Sequence, residues 1–340
     1  EDVGLVPGEP ALADVVTGAD TKILGRLRRA GHPFPSIVNR EATVDFDTNT
    51  MQVTIEVDPG AEAVFGDLRI TGLDKVKPVV PNMEQPWKTG DAYDIRQIDK
   101  FRNRLYETGL FTVVRVEPVP PVDDGRVTIS LDVTERKHRS IGFGVSYYTD
   151  EGAGTEFFWE HRNLWQLGRK FRLEAKIAQQ EVSFKSSLIL ERFRRQNQQL
   201  TASIGAGIED TDAYDSQEVG WALILSRELH RHLDGSIGFA VRFTEVEQLD
   251  DTEHFQLFSL PMELVWDNTD DALNPTRGIR VTGQAEPFVD VLGDTSEFFK
   301  TQLTTSYYIA FDDDATWVFA HPINFGRIMS DSLADVPYVE

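Results

Sequence analysis

Few side chains in this sequence are spaced for covalent chemistry. His230-Arg231-His232 puts two imidazoles at i and i+2, on one face of an extended chain, but supplies no third ligand nearby. A solvated turn is the plainer reading, and His161 reads as structural. Asp312-Asp313-Asp314 and the acidic runs Glu209 to Gln217, Glu247 to Glu253 and Glu286 to Glu297 offer carboxylates to Ca²⁺. They lack the EF-hand spacing and its glycine, and charged runs are ordinarily just hydrated. There is no cysteine, so thiol nucleophiles, disulfides and Cys-ligated metals are excluded. No Gly-x-Ser-x-Gly, Walker A or His-Glu-x-x-His pattern occurs. The sequence nominates no enzyme, no metal and no cofactor. The run Asp267-Asn268-Thr269-Asp270-Asp271-Ala272-Leu273-Asn274-Pro275-Thr276-Arg277-Gly278 is built for backbone shape instead. Pro275 fixes φ, Gly278 relieves a positive φ, and Asp267 or Asp271 is expected to pair with Arg277.

The chemistry that remains is strand pairing. Beyond about residue 137 the chain alternates almost without interruption. In Ile141-Gly142-Phe143-Gly144-Val145-Ser146-Tyr147 every other residue is large and apolar. Phe171, Leu173, Ala175 and Ile177 alternate with Arg172, Glu174 and Lys176, and Ile237, Phe239, Val241 and Phe243 with Ser236, Gly238, Ala240 and Arg242. Period two means a sheet with two unlike faces. Roughly eleven such segments occur, each about 9–13 residues long, the length that crosses a bilayer when tilted.

Three features point the apolar face at lipid rather than into a soluble core. The other face carries full charges, which a wet lumen accepts. Aromatics gather near segment ends: Tyr147-Tyr148, Phe157-Phe158-Trp159, Trp165, Trp266, Phe298-Phe299 and Trp317. Connections read as short at Leu167-Gly168 and Leu233-Asp234-Gly235 and as long in the three acidic runs, the outer-membrane pattern. A soluble β-rich binding protein is the competing reading.

Composition agrees with this division. The 340 residues carry 34 Lys plus Arg against 56 Asp plus Glu, a net charge of −22. Phosphate neutralisation needs the opposite balance, so nucleic acid is not an expected partner. No stretch of about 18 apolar residues marks a membrane helix, which leaves a barrel open. The chain starts at Glu1 with no visible signal peptide and reads as a piece of something longer.

The first half repeats itself. Leu27-Arg28-Arg29-Ala30-Gly31 resembles Leu105-Tyr106-Glu107-Thr108-Gly109, an offset of 105 − 27 = 78. Val53-Thr54-Ile55-Glu56-Val57 resembles Val127-Thr128-Ile129-Ser130-Leu131, an offset of 127 − 53 = 74. Two copies of one small domain follow, differing in loop length. Each reads as a helix (Ile23 to Ala30; Ile95 to Glu107) ended by a left-handed Gly31 or Gly109. Two strands then join through Asp47-Thr48-Asn49 or Asp123-Asp124-Gly125, and only the second copy has a leading strand, Val64 to Ile70.

Tandem βααββ modules followed by a barrel resemble the outer-membrane protein assembly factors of the BamA/TamA superfamily, whose modules are called POTRA domains. The Asp267–Gly278 run is similar to that family's Asp…Asn-Pro-x-Arg-Gly turn. Gly4-Leu5-Val6-Pro7-Gly8 and Tyr106-Glu107-Thr108-Gly109-Leu110-Phe111 resemble POTRA helix borders. Thr149-Asp150-Glu151-Gly152 followed by His161-Arg162-Asn163-Leu164 looks more like TamA than BamA.

The resemblance implies a POTRA module over 1–59, truncated at its start, a second over 60–137, and the first part of a transmembrane β-barrel over 138–340. A complete barrel of this type has sixteen strands and a Val/Ile-Arg-Gly-Phe/Tyr motif, and the motif and the last strands would lie beyond Val336-Pro337-Tyr338-Val339-Glu340. It further implies an outer-membrane insertase with periplasmic modules, unfolded outer-membrane clients, a bilayer and a TamB-like inner-membrane partner. The first barrel strand would form a lateral gate through Ser140, Ile141, Gly142, Phe143, Gly144, Val145 and Ser146. Its glycines either weaken the gate or leave room in the lumen. Phe111, Val113, Arg115 and Glu117 would lie on a POTRA edge strand able to capture extended chains, with Pro118, Pro120 and Pro121 capping it against runaway pairing. A two-partner secretion pore of the same superfamily is the alternative.

Overall fold

The computed structural model describes residues 8–9, 12–148, 152–211, 214–248, 251–290 and 297–330. Residues 4–7, 149–151 and 331–340, which carry several of the family likenesses above, lie outside that set. The chain forms two compact units, one of residues 1–137 with 166–168 and one of 138–165 with 169–340.

In the first unit, α1 (Ala13–Arg29) precedes a two-stranded antiparallel sheet of β1 (Ser36–Asp45) and β2 (Thr50–Asp58). The helix begins ten residues before the expected Ile23, because Val16 and Ala19 extend its buried stripe by a further two turns. Next come β3 (Val64–Thr71), α2 (Val79–Glu84), α3 (Ile95–Glu107), β4 (Phe111–Asp123) and β5 (Arg126–Glu135), a βααββ module. Its sheet runs β3-β5-β4, with β3 parallel and β4 antiparallel to β5.

Helix α3 matches the expected span. The Asp94 carboxylate accepts from the Arg96 N–H at its start, an N-cap bond. Ile98, Phe101 and Leu105 are buried at i, i+3 and i+7, and each stabilises the fold by about 1.5–3 kcal/mol. Gly109, at φ +67°, turns the chain out of the helix. Above the sheet, Trp87 stacks on Phe65 at 4.4 Å and meets Phe101 edge-on at 5.1 Å.

The second unit is an antiparallel sheet of β6 (Arg139–Tyr148), β7 (Gly152–Leu164), β8 (Arg169–Ala178), β9 (Glu181–Leu190), β10 (Gln198–Asp210), β11 (Asp215–His230), β12 (Leu233–Gln248), β13 (Asp251–Ser259), β14 (Met262–Asp267), β15 (Gly278–Asp290), β16 (Phe298–Ala310) and β17 (Val318–Ser330). Each strand pairs with the next in sequence, except that β13 and β14 share one lane between β12 and β15. The break falls at Leu260-Pro261, where the Gly238 N–H reaches the Pro261 carbonyl at 2.8 Å.

Two expectations about the connections are corrected. The β11–β12 turn is Arg231-His232, not Leu233-Asp234-Gly235, because Leu233 and Gly235 already pair with Trp266 and Leu264. Where they are described, the acidic runs are largely strand: Glu209 pairs with Ser216, Asp210 with Asp215, β12 extends to Gln248 and β15 to Asp290, while residues 212–213, 249–250 and 291–296 lie outside the described residues. Ladders continue past the apolar band wherever carboxylates sit at hydrated strand ends. The interval 268–277 lies at the end where β6 begins, the side of the short β11–β12 turn.

The two faces divide as the alternation requires. Ile141, Phe143 and Val145 are 71%, 72% and 76% exposed, so the apolar row of β6 is not packed into a soluble core. Ile204, Trp221, Ile237, Phe243, Leu264 and Leu303 continue that exposed row across the sheet. The opposite face is not uniformly hydrophilic. Val246, Phe255, Leu257, Phe288 and Phe298 cluster there and are buried, with Phe288 and Phe298 stacked at 4.4 Å. Phe298 therefore leaves the expected aromatic girdle to Phe299, because neighbours in a strand point to opposite faces.

Candidate functional site

Strand β6 lies at one edge of its sheet. It pairs with β7 alone among the described residues, in the register Ser140↔Glu160, Ile141↔Trp159, Gly142↔Phe158, Phe143↔Phe157, Gly144↔Glu156, Val145↔Thr155 and Ser146↔Gly154. Ile141, Phe143 and Val145 share the exposed apolar row, while Ser140, Gly142, Gly144 and Ser146 share the polar one.

A chain of charged groups grips the start of that polar row. Arg162 Nη2 donates to Ser140 Oγ at 2.7 Å, and its Nε meets Glu160 at 2.7 Å. Glu160 also faces Arg172 at 3.6 Å, which in turn pairs with Glu174 at 2.9 Å. The Arg172 guanidinium lies 4.4 Å from the centre of the Phe158 ring. That ring fills the space over Gly142: a Cβ there would overlap its edge atoms. Gly144 carries no such demand, its nearest neighbour being the Glu156 Cβ at 3.8 Å. The two glycines thus divide the roles weighed for them. Gly142 leaves room for a neighbour, whereas no neighbour requires the missing side chain at Gly144.

Sequence reasoning missed this charged chain. The signal was available, since Glu160 and Arg162 share a face of β7 and Arg172 and Glu174 share the facing row of β8. Further along the same face, Ser183, Ser203, Gly205, Gly207, Gly220 and Ala222 floor an open groove of about 490 Å³.

In the βααββ module, β4 is an edge strand, paired among the described residues with β5 alone. Val113, Arg115 and Glu117 project outward. Phe111 does not join them: a bulge between Phe111 and Val113 switches the alternation and buries Phe111 in the core. The strand continues through Pro118, Pro120 and Pro121. Pro118 still stands opposite Ile129, Val119 opposite Thr128, and β4 runs to Asp123. An edge tolerates proline because half its N–H groups need no ladder partner.

The Asp267–Gly278 run is held by its own carboxylates. Asp270 accepts from the Thr276 hydroxyl and from the Thr276 and Arg277 N–H groups at 2.8 and 3.0 Å. Those bonds, the hydroxyl's first, hold its carboxyl well below the usual range. Asp271 accepts from the Asn274 and Leu273 N–H groups, both at 2.8 Å, and is lowered too. Asn268 Oδ1 takes the Ile279 N–H at 2.8 Å. Gly278 has φ +111°, and a Cβ there would come within 2.7 Å of the Asn268 carbonyl. Arg277 pairs with neither Asp267 nor Asp271, as both carboxylates are engaged close to home. Its Nη2 reaches the Asp312 carbonyl at 3.3 Å and Asp313 at 3.9 Å, which ties this loop to the β16–β17 turn. Asp267 faces Arg280 at 3.8 Å.

His232 donates from Nδ1 to the Asp267 carbonyl at 2.9 Å, a structural bond. Among the described residues no cluster of three or more His, Asp or Glu side chains could hold a metal.

Comparison with known proteins gives two family matches. The Omp85 superfamily domain matches residues 163–340, and the POTRA model, described as a surface antigen variable number repeat, matches residues 63–136. The outer membrane protein assembly factor BamA of Neisseria meningitidis is 22% identical over 170 residues, half of this chain. That match spans 21% of the relative's length. The structure of Haemophilus ducreyi BamA lacking POTRA domains 1–3 has a similar fold, with TM-score 0.86 and 17% identity, over 98% of this chain and 68% of that one. CdiB of Acinetobacter baumannii is more distant, with TM-score 0.51 and 12% identity, over 96% of this chain and 62% of that one.

Proposed function

Since the chain belongs to the Omp85 superfamily, we propose that it works in the bacterial outer membrane, with modules 1–59 and 60–137 in the periplasm and 138–340 within the barrel. There it assists the insertion or secretion of β-barrel or autotransporter proteins, without catalysis of its own. A strand entering hydrocarbon must keep its N–H and C=O groups paired, because each unpaired group costs several kcal/mol. A free strand edge offers those partners in register. The observation that carries this reading is β6, with one edge paired, the other open among the described residues, and its apolar row exposed. Client strands pair with that edge, and lipid takes up their apolar rows.

The outward side chains of β4 (Val113, Arg115 and Glu117) give the module a second edge for capturing extended segments. A TamA-like role with a TamB-like inner-membrane partner is the finer assignment, resting on the likeness at His161-Arg162-Asn163-Leu164.

The test is photocrosslinking in cells from the full protein, with the probe at Ser140, Gly144 or Ser146 and a control probe at Ser203 on β10. Adducts with the terminal strand of an assembling barrel are expected on β6 and not at Ser203. Adducts at neither position, with barrel assembly proceeding normally, would refute templating. The fold likeness to CdiB supports a second reading, a two-partner secretion pore. Ion conductance that rises only with one secreted partner would select it.

A further inference from the structure

Six arginines gather at the end of the sheet where β6 begins. Arg169 opens β8; Arg192, Arg194 and Arg195 lie between β9 and β10; Arg227 stands near the end of β11; Arg231 forms the β11–β12 turn. Neighbouring strands hold them together. The Asn197 side chain donates to the Glu228 carbonyl at 2.6 Å, and the Glu228 N–H to the Asn197 carbonyl at 3.0 Å. These bonds fix the β9–β10 connection to the end of β11. Arg192 and Arg194 sit at φ +54° and +61°, a backbone that L residues adopt at a cost, so the loop keeps a strained shape.

Arg169 and Arg227 terminate the exposed apolar rows of β8 and β11. Aromatic rings accompany them: Arg169 lies 5.2 Å from the centre of Trp165, and Arg194 lies 5.4 Å from the centre of Phe193. Among the described residues Arg195 and Arg231 form no ion pair, and Arg227 Nε is buried without a hydrogen-bond partner. The opposite ends of β10, β11 and β12 are acidic. Residues 205–217 and 244–255 contain no Lys or Arg at all. The chain as a whole has net charge −22, and the six arginines outnumber the carboxylates Glu191, Glu228 and Asp234 that stand among them.

We infer that this arginine rim docks the phosphate headgroups of an anionic phospholipid leaflet. The inference rests on the reading that the apolar rows face lipid. If they do, headgroups must lie at the level where those rows end, which is where the guanidinium groups are. Guanidinium binds phosphate oxygens in a fork, and aromatic rings favour the same interfacial layer. A soluble acidic protein would also find positive charge here, but it gives no reason for the arginines to cap apolar rows.

The test uses the full protein in nanodiscs of phosphatidylcholine mixed with phosphatidylglycerol, with retained lipids counted by native mass spectrometry. Phosphatidylglycerol should be retained in preference. Each basic side chain at an anionic surface is worth roughly a factor of five, so Arg194→Gln/Arg195→Gln/Arg231→Gln should lose on the order of 100-fold of that preference. The corresponding triple Lys variant should keep most of it, and Glu245→Gln at the opposite end should keep all of it. Heat-modified gel mobility checks that each variant is folded.

Equal retention of both lipids by the unaltered protein would overturn the inference, as would an unchanged preference in the triple Gln variant. Displacement by inorganic phosphate, or by an acidic periplasmic protein that abolishes lipid retention, would overturn it too. Failure to enter nanodiscs at all would instead overturn the lipid-facing reading beneath it.

Discussion

Gly142 and Gly144 stand two residues apart on β6 and should respond to alanine with opposite signs. At Gly144 a Cβ meets only the Glu156 Cβ at 3.8 Å, an ordinary contact. Alanine there removes unfolded-chain freedom at no steric cost, a gain of about 0.4–1 kcal/mol. With 1.4 kcal/mol per factor of ten, β6 should open about two- to fivefold less often. At Gly142 the added Cβ overlaps the Phe158 ring, which is held beneath the Arg172 guanidinium. Overpacking of this kind costs about 1–3 kcal/mol, so opening should rise roughly 5- to 100-fold. Hydrogen exchange of the residue 140–146 amides, measured on the full protein in lipid, reads both effects. Adding Phe158→Ala to Gly142→Ala should restore protection, because the clash partner is gone. Parallel responses of the two glycines, or no restoration by the second change, would refute the assignment of Phe158 as the reason for Gly142. Client assembly should slow in Gly144→Ala by about the factor by which opening slows; an unchanged rate would separate opening from templating.

Other outcomes follow from the same geometry. Phe101→Ala removes the ring beneath Trp87 and should destabilise the 60–137 module by about 3–5 kcal/mol, read by denaturant unfolding of the full chain's helical signal. Asp270→Ala should speed amide exchange over 270–278 while sparing the middle of β15; equal loss across β15 would show that the carboxylate does more than shape the loop. The folded Asp270 carboxyl is depressed, so its contribution is complete above the ordinary carboxylate range near pH 4 and fades as pH falls through the lowered value. The loop should therefore stay protected at pH 4 and loosen only in stronger acid. Arg115→Glu leaves the fold within about 0.5 kcal/mol, yet should weaken capture of extended segments by the β4 edge in a pull-down.

Much of the architecture was legible because it rests on short-range periodicities. The alternation in 141–147 and 237–243 sets which side chains share a face, and helix α3 keeps the span expected of it, Ile95 to Glu107. What escaped was non-local or off-period. The bulge before Val113 shifts the alternation by one residue, and nothing in the local sequence marks it, so Phe111 seemed to share a face with Val113. Arg277 sits near two tempting carboxylates, but Asp267 accepts from Thr269 and faces Arg280, Asp271 accepts from the Leu273 and Asn274 N–H groups, and the partners of Arg277 lie some 35 residues on. The acidic runs looked like loops because charge disfavours burial, whereas strand ends beyond the apolar band stay hydrated and keep pairing. The apolar cluster of Val246, Phe255 and Phe298 needs the register of several strands before its members can be seen to meet.

The claim on which the rest depends is that Phe184, Ile204 and Ile237 touch lipid tails while Ser183, Ser203 and Ser236 face water. These 340 residues contain no cysteine, so single cysteines at these six positions can each carry a spin label in the reconstituted full protein, with any cysteine elsewhere replaced by serine. Relaxation by dissolved oxygen should dominate at the first three and relaxation by a polar nickel chelate at the second three, alternating with period two along each strand. The reverse pattern, or no alternation, would contradict the account at its root.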